Sequence, residues 1–207
     1  MSCCIGCQAP NFVLNGAQNS DLTYNWSLEN QKDNWVCLIF YPMDFTFVCP
    51  TELIAFSERL EEFNFLGCEI VGISGDSPYI HLNWLSTPHT QGGLENKVQF
   101  PLLSDVDREV MKAYGVYNPD KSGLDYAQAF RGLFLIDPNG KLRHVCINDN
   151  GVARSVDETL RVLKALQYYD MYGNPCPEGW KSGRAAIVPT RDGIIQYLTK
   201  EMPKIHM

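Results

Sequence analysis

The period of the apolar positions changes along the chain, and the changes mark out its elements. Residues 36–41 (VCLIFY) form a continuous apolar run, the pattern of a strand buried on both faces. Beyond Cys49 the apolar residues Leu53, Phe56, Leu60 and Phe63 recur at helical spacing. Polar Ser57, Glu58, Arg59, Glu61 and Glu62 fall between them, so the spacing predicts one amphipathic helix, which Gly67 ends. Residues 69–74 (EIVGIS) then read as a second buried strand. Strand, helix and strand in this order imply a parallel pair joined by a right-handed crossover.

Shorter helices are predicted over 79–87 and 107–114. Residues 129–136 (AFRGLFLI) and 141–148 (KLRHVCIN) read as strands joined by the turn Asp137-Pro138-Asn139-Gly140. A longer helix is predicted over 155–171, with Ser155 as its cap and Glu158 completing a capping box. From Gly173 the pattern dissolves into GNPCPEGWKSGRAAIVP, and a short apolar segment follows at 194–198. The reading is an α/β domain over residues 1–170 and an extended C-terminal arm over 171–207.

Composition narrows the class. The chain has 207 residues, 45% hydrophobic and 20% charged, as a soluble globular domain does. No apolar run approaches the roughly 18 residues needed to span a membrane. The start, MSCCIGCQAPNF, has neither the basic nor the apolar part of a signal peptide, and Ser2 stands where myristoylation needs glycine. A net charge of −7 argues against a nucleic-acid partner. Eight cysteines are too sparse for a disulfide scaffold, so most are expected to be thiols in a reducing compartment, the cytoplasm by default.

Cys37, Cys68 and Cys146 fall in or at strands and are expected in the core. Cys4-Ile5-Gly6-Cys7 spells C-x-x-C, but it precedes every predicted strand and lacks a second ligand pair, so a frayed terminus is expected. The histidines His81, His89, His144 and His206 show no ligand spacing. His81 and Trp84 are expected to pack one helix face, and Tyr168, Tyr169 and Tyr172 an interface or the arm.

Cys49 is placed differently from the other cysteines. It falls where a central strand has ended and a helix begins, with Pro50 at the first helical position. Free N–H groups and the positive helix end favour a thiolate there. The gain is bounded, because an ordinary thiol is about 3% ionised at neutral pH. Complete ionisation therefore adds at most about thirtyfold, or about 2 kcal/mol. Larger acceleration needs groups that hold the substrate and the developing charge.

Thr46, three residues earlier, can place a hydroxyl beside the sulfur. Arg131 lies in an otherwise apolar strand, either paired in the interior or facing solvent from an edge. Glu52 opposes a thiolate unless Arg131 or Arg154 neutralises it, and a helix-capping role is an equally sensible reading.

Pro42-x-x-x-Thr46-x-x-Cys49 followed by Pro50-Thr51-Glu52 resembles the active-site motif of the peroxiredoxins. The resemblance runs from about Ile5 to Leu198 and includes IGCQAPNF, HLNWLSTPHTQGGL, FPLLSD, RGLFLID and RSVDETLR. NPCPEGW at 174–180 is similar to the arm motif of the typical 2-Cys subgroup. The resemblance implies a thioredoxin-like fold, a central mixed β-sheet flanked by helices, with a C-terminal arm.

It further implies that Cys49 attacks hydrogen peroxide or a small alkyl hydroperoxide and becomes a sulfenic acid. Thr46 and Arg131 would hold the peroxide oxygens, and Pro42 would shield the sulfenic acid from water. Glu52, Arg154 and Trp84 would support these groups. Cys176 from a second subunit would condense with the sulfenic acid, and a thioredoxin-like protein would reduce the disulfide. The implied assembly is a homodimer, with a decamer of five dimers left open, and the implied cofactor is none, metal included.

Two segments depart from the family pattern. Gly92-Gly93-Leu94-Glu95 stands where easily overoxidised members have Gly-Gly-Leu-Gly, and Tyr197-Leu198 where they have Tyr-Phe. The competing readings are a thioredoxin-like disulfide reductase, which would want cysteine rather than Thr46, and a holdase chaperone, to which no residue points.

Overall fold

A computed structural model of the chain describes residues 4–202. Cys3 and His206 lie outside the described residues. Two compact units divide the chain between Val156 and Asp157.

The first unit is built on a seven-stranded mixed sheet. Its strands are β1 (Val13–Gln18), β2 (Asp21–Ser27), β3 (Trp35–Phe40), β4 (Cys68–Ser74), β5 (Leu102–Ser104), β6 (Arg131–Ile136) and β7 (Leu142–Asn148), in spatial order β2-β1-β5-β4-β3-β6-β7. All six residues of β3 are buried, as its unbroken apolar run requires. It pairs parallel with β4 and antiparallel with β6, with Leu38 opposite Phe134 and Ile39 opposite Leu133. The aromatic rings of Phe40, Tyr114 and Phe134 meet at centroid distances of 5.0–5.5 Å in the core beside it.

The helical spacing after Cys49 is realised as two helices, α1 (Cys49–Glu58) and α2 (Leu60–Phe65). The break is at Arg59 (φ −106°, ψ 11°), whose N–H donates to the Phe56 carbonyl three residues back, tightening the last turn of α1. Leu53, Phe56 and Phe63 remain buried across the break, so the apolar stripe survives a change of axis. Helices α3 (Pro78–Ser86) and α4 (Glu109–Ala113) complete the unit's α-helices among the described residues.

Hairpin β1–β2 has little signal in the sequence. Its two-residue turn puts Asn19 and Ser20 at φ 50° and 68° without a glycine, and a register shift between Leu14 and Gly16 breaks the alternation.

Two expectations need correction, those for Cys146 and for the Cys4 segment, and the open alternative for Arg131 is decided. Cys146 is half-buried, because β7 is the last strand of the sheet. Cys37 and Cys68 are buried as expected; burial pushes the Cys37 thiol up to about 12 and the Cys68 thiol well above its ordinary value. Arg131 does not face solvent from an edge, since β6 is an inner strand and the residue is 3% exposed. The segment from Cys4 onward is not frayed. Gly6 N–H donates to Leu142 O (2.8 Å), Leu142 N–H to Cys7 O (3.0 Å) and Ala9 N–H to Gly140 O (2.9 Å), and Cys4 is disulfide-bonded to Cys7.

The second unit comprises most of α5 (Val156–Tyr172), an irregular segment and α6 (Arg191–Gln196), continued by a wider helical turn over Tyr197–Glu201. α5 begins directly after Ser155, and α6 is capped by Thr190, whose hydroxyl accepts from Gly193 N–H. In the irregular segment Trp180 is buried, with its ring 4.8 Å from that of Tyr168. Its indole N–H donates to Arg184 O (3.1 Å), and Ile187 N–H donates to Pro175 O (3.0 Å).

Candidate active site

The end of β3 feeds the loop that carries the site. Pro42 is buried two residues past the strand, and the loop turns through Phe45 (φ 55°) to reach Cys49 at the first position of α1. Pro50 therefore occupies the second helical position, where its missing N–H is also tolerated. Register brings Arg131 here: β6 runs antiparallel to β3, and Leu133 faces Ile39, so the start of β6 lies level with the end of β3.

The Cys49 sulfur is fully buried and has two polar neighbours. Thr46 Oγ1 lies 3.0 Å from it and 2.7 Å from the Met43 carbonyl, so one hydroxyl bridges the sulfur and the loop backbone. Arg131 Nη1 lies 3.4 Å from Cys49 Sγ and 3.2 Å from Glu52 Oε2, while Arg131 Nε donates to Asn150 O at 2.8 Å. The guanidinium is thus aimed at the sulfur by a carboxylate and a carbonyl.

Glu52 is held chiefly from the other side. Arg154 Nε and backbone N–H both donate to Glu52 Oε1 at 2.7 Å, and Arg154 Nη2 donates to Oε2 at 2.6 Å. Arg154 Nη1 also donates to Gly132 O. Burial pushes the Glu52 carboxyl up, but the Arg154 hydrogen bonds and charge, with Arg131 behind them, outweigh it and hold the carboxyl below its ordinary range. Glu52 stays charged, and two guanidiniums against one carboxylate leave one net positive charge beside the sulfur. Glu52 therefore does not act against a thiolate here.

A second buried cluster braces the same loop. Asp44 accepts from the Tyr41 hydroxyl (2.8 Å), and its other oxygen lies 2.7 Å from His81 Nδ1, while Asp44 N–H donates to Asp76 Oδ2 at 2.9 Å. His81 is fully buried, and its Nε2 lies 3.2 Å from Leu103 O. Burial pushes the Asp44 carboxyl up, and the His81 contact pulls it back only in part. Trp84 is also buried; its indole N–H donates to Gly92 O (2.9 Å) and its ring packs on Tyr41 and Phe45. Trp84 thus supports the loop from behind and has no hydrogen bond to Cys49 or Thr46.

Sequence reasoning passed over Tyr41, Asp44 and Asn150. Asp44 carried a usable signal, since a carboxylate among Phe40, Tyr41 and Phe45 needs a partner if it is buried. Asn150 contributes through its backbone carbonyl, for which side-chain identity carries no signal.

Cys176 belongs to the second unit. It is half-buried beside α5, with Sγ 3.6 Å from Ala165 O, in an open groove of about 450 Å³ whose lining includes Arg161, Ala165, Tyr169 and Pro177. Burial pushes its thiol up, and the Arg161 charge pulls it down.

The whole chain, beyond this sulfur held between a hydroxyl and an arginine, can be compared with known proteins. The AhpC/TSA family model matches residues 5–145, and the model for the C-terminal domain of 1-Cys peroxiredoxin matches 165–200. The chain belongs to the peroxiredoxin family. It is 47% identical over 200 residues to peroxiredoxin-2 of Macaca fascicularis, covering 95% of this chain and 96% of that one. It is 45% identical over 196 residues to peroxiredoxin-1 of Gekko japonicus, with the same coverage. The reduced 2-Cys peroxiredoxin of Plasmodium vivax superposes with a TM-score of 0.87 at 37% identity, covering 94% of this chain and 98% of that one. Enterococcus faecalis AhpC gives 0.74 at 31% identity, over 86% and 100%. The fold of this peroxiredoxin is accordingly thioredoxin-like, and its activity is that of a thiol peroxidase, an oxidoreductase. Among the described residues no helix is long and apolar enough to cross a membrane.

Proposed function

We propose that this peroxiredoxin runs a two-cysteine cycle in which Cys49 is the peroxidatic nucleophile and Cys176 of a second copy resolves it. The observation that carries the reading is the pair of contacts on Cys49 Sγ, Thr46 Oγ1 at 3.0 Å and Arg131 Nη1 at 3.4 Å. The thiolate attacks the terminal oxygen of hydrogen peroxide or a small alkyl hydroperoxide. As the S–O bond forms the O–O bond breaks, and hydroxide or alkoxide leaves and takes up a proton. Arg131 and Thr46 are positioned to bind the two peroxide oxygens and the charge that moves onto the leaving one. Their placement is set in advance by Glu52, Asn150 and the Met43 carbonyl, so little reorganisation accompanies reaction.

The sulfenic acid condenses with the thiol of Cys176, forming a disulfide and water. Cys49 has no exposed surface, so this step requires the first turn of α1 to open. Two electrons from a thioredoxin-like dithiol then restore both thiols. Pro42, buried beside the loop, limits the water that reaches the sulfenic acid. The arm over 171–207 serves to deliver Cys176, which makes a homodimer the functional unit. Exposed Phe47 and Tyr79 offer apolar surface for association of dimers into a decamer. The free thiols fit the cytoplasm.

The test is stopped-flow peroxide consumption by the wild type and Cys49→Ser, with circular dichroism to confirm the fold. Cys49→Ser is expected to fall to the buffer rate while remaining folded. Retention of more than a tenth of the wild-type rate would place the nucleophile elsewhere.

A further inference from the structure

We propose that Cys4 and Cys7 form a second thiol–disulfide exchange centre, separate from the Cys49 site, which a dithiol reductant opens and a disulfide oxidant closes. Both residues are exposed, their Cα atoms are 5.6 Å apart, and their sulfurs are bonded. The turn between them is shaped by Cys7 N–H donating to Cys4 O (3.1 Å) and by Gly6 in the left-handed region (φ 83°). A disulfide on such a turn is open to attack by a thiolate from solvent, unlike one packed in a core.

The turn does not depend on the disulfide to stay in place. Backbone hydrogen bonds from Gly6 and Ala9 to Leu142 and Gly140, and from Leu142 back to Cys7, fasten the turn to the β6–β7 hairpin from Gly6 onward, and the Cys7 N–H bond to Cys4 O ties Cys4 to that fastened part. Opening the disulfide therefore leaves both thiols held close, ready to close again. Cys37 and Cys68, the fully enclosed thiols of β3 and β4, have no comparable access.

Position separates this centre from Cys49. Leu142 pairs with Ile136, which pairs with Val36 near the start of β3, whereas the loop to Cys49 leaves the far end of that strand. A strand of this length spans about 20 Å. The two centres sit at opposite ends of one sheet, and a dithiol–disulfide exchange neither needs nor consumes peroxide.

The chemistry balances without another participant. One thiolate of the dithiol attacks the sulfur of Cys4 or Cys7; the Cys4–Cys7 bond breaks, a mixed disulfide forms, and the other cysteine leaves as a thiolate and is protonated. The second thiol of the reductant attacks the mixed disulfide and releases the remaining cysteine. The chain gains two electrons and two protons, and the reductant departs as a disulfide.

The experiment uses the full chain carrying Cys3→Ser, Cys49→Ser and Cys176→Ser, so its outcome is independent of the peroxide cycle. The protein is equilibrated with reduced and oxidised dithiothreitol at graded ratios, alkylated while folded and mapped by peptide mass spectrometry. Cys4 and Cys7 are expected to become labelled together, from one-tenth to nine-tenths across a roughly eightyfold change in ratio, as two-electron exchange requires. Cys37 and Cys68 are expected to stay unlabelled throughout, which reports that the fold is intact. Adding Cys7→Ser should leave Cys4 labelled at every ratio. Labelling of both residues under fully oxidising conditions, of one alone in the parent, or of neither in excess reduced dithiothreitol overturns the proposal.

Discussion

The sulfurs of Cys49 and Cys176 lie in opposite kinds of surroundings. Cys49 is sealed from solvent, with a hydroxyl and a guanidinium in reach, and every neighbour is itself fixed by another group. Cys176 lies on an irregular segment, half-buried, touching a carbonyl oxygen in an open groove. The first environment is suited to stabilising charge at the sulfur and on an oxygen leaving it. The second offers access without activation. In the proposed cycle the chemistry belongs to the first unit and the delivery of Cys176 to the arm.

The largest break in this comparison comes from removing each sulfur in turn. Cys49→Ser is expected to abolish peroxide consumption, as set out above. Cys176→Ser is expected to keep a full-rate first turnover and to lose steady turnover with a dithiol protein. On non-reducing electrophoresis after one equivalent of peroxide, the wild type should run as a linked dimer and Cys176→Ser as a monomer. A dimer band from Cys176→Ser would show that another cysteine resolves the sulfenic acid.

Next in size are the groups around Cys49. Arg131→Met removes the cation nearest the sulfur and is expected to lower the second-order rate with peroxide by about 10²–10³. Thr46→Val keeps the shape and removes the hydroxyl, for an expected loss of about 10- to 100-fold. Equivalent substitutions beside Cys176, such as Arg161→Met, should leave the first turnover within about twofold if the two environments differ as described. Stopped-flow tryptophan fluorescence reads all three.

Glu52 separates positioning from chemistry. Glu52→Gln leaves Arg131 and Arg154 without their shared anion, and the expected loss of stability is about 3–5 kcal/mol in urea unfolding. The sign with pH follows from the depressed carboxyl. Its contribution is complete above the ordinary glutamate value of 4.5 and is lost as pH falls through the lower folded value. The wild type should therefore lose stability below about pH 4.5 more steeply than Glu52→Gln. Equal slopes would remove Glu52 from the account of acid sensitivity.

Much of this arrangement was legible before the structure. The apolar run at 36–41 and the helical spacing after it place Cys49 at a strand-to-helix junction, and the peroxiredoxin motif supplies Thr46 and Arg131. The burial of Arg131 was not legible from its own strand, because one charge in an apolar run fits either an edge or a paired interior. The register that sets Leu133 opposite Ile39 decides it. Asp44 and His81 are far apart in sequence and meet only because α3 packs back over the sheet. The turn at Cys4–Cys7 was misread because its fastening comes from Gly140 and Leu142, which local pattern does not connect to the first residues.

The smallest effect tests the loop that seals the back of the first environment. Trp84 is tied to Gly92, Leu94 N–H donates to Trp84 O (2.9 Å) and Glu95 N–H to Thr87 O (2.9 Å), so the segment is strapped onto α3. Glu95 takes the left-handed conformation (φ 49°) at the position where the related motif has glycine. Left-handed backbone costs a residue with a side chain about 1–2 kcal/mol, whereas glycine costs about 0.4–1 kcal/mol through the unfolded chain. Glu95→Gly is therefore expected to stabilise the protein by about 0.5 kcal/mol, raising Tm by about 1–2 °C. Its side chain contributes little, since its contacts with His89 (3.6 Å) and Lys97 (4.0 Å) are long and exposed. Glu95→Ala keeps the conformation and discards those contacts, so it should leave Tm unchanged or slightly lower. A rise with alanine equal to that with glycine would trace the effect to the lost carboxylate rather than to the backbone.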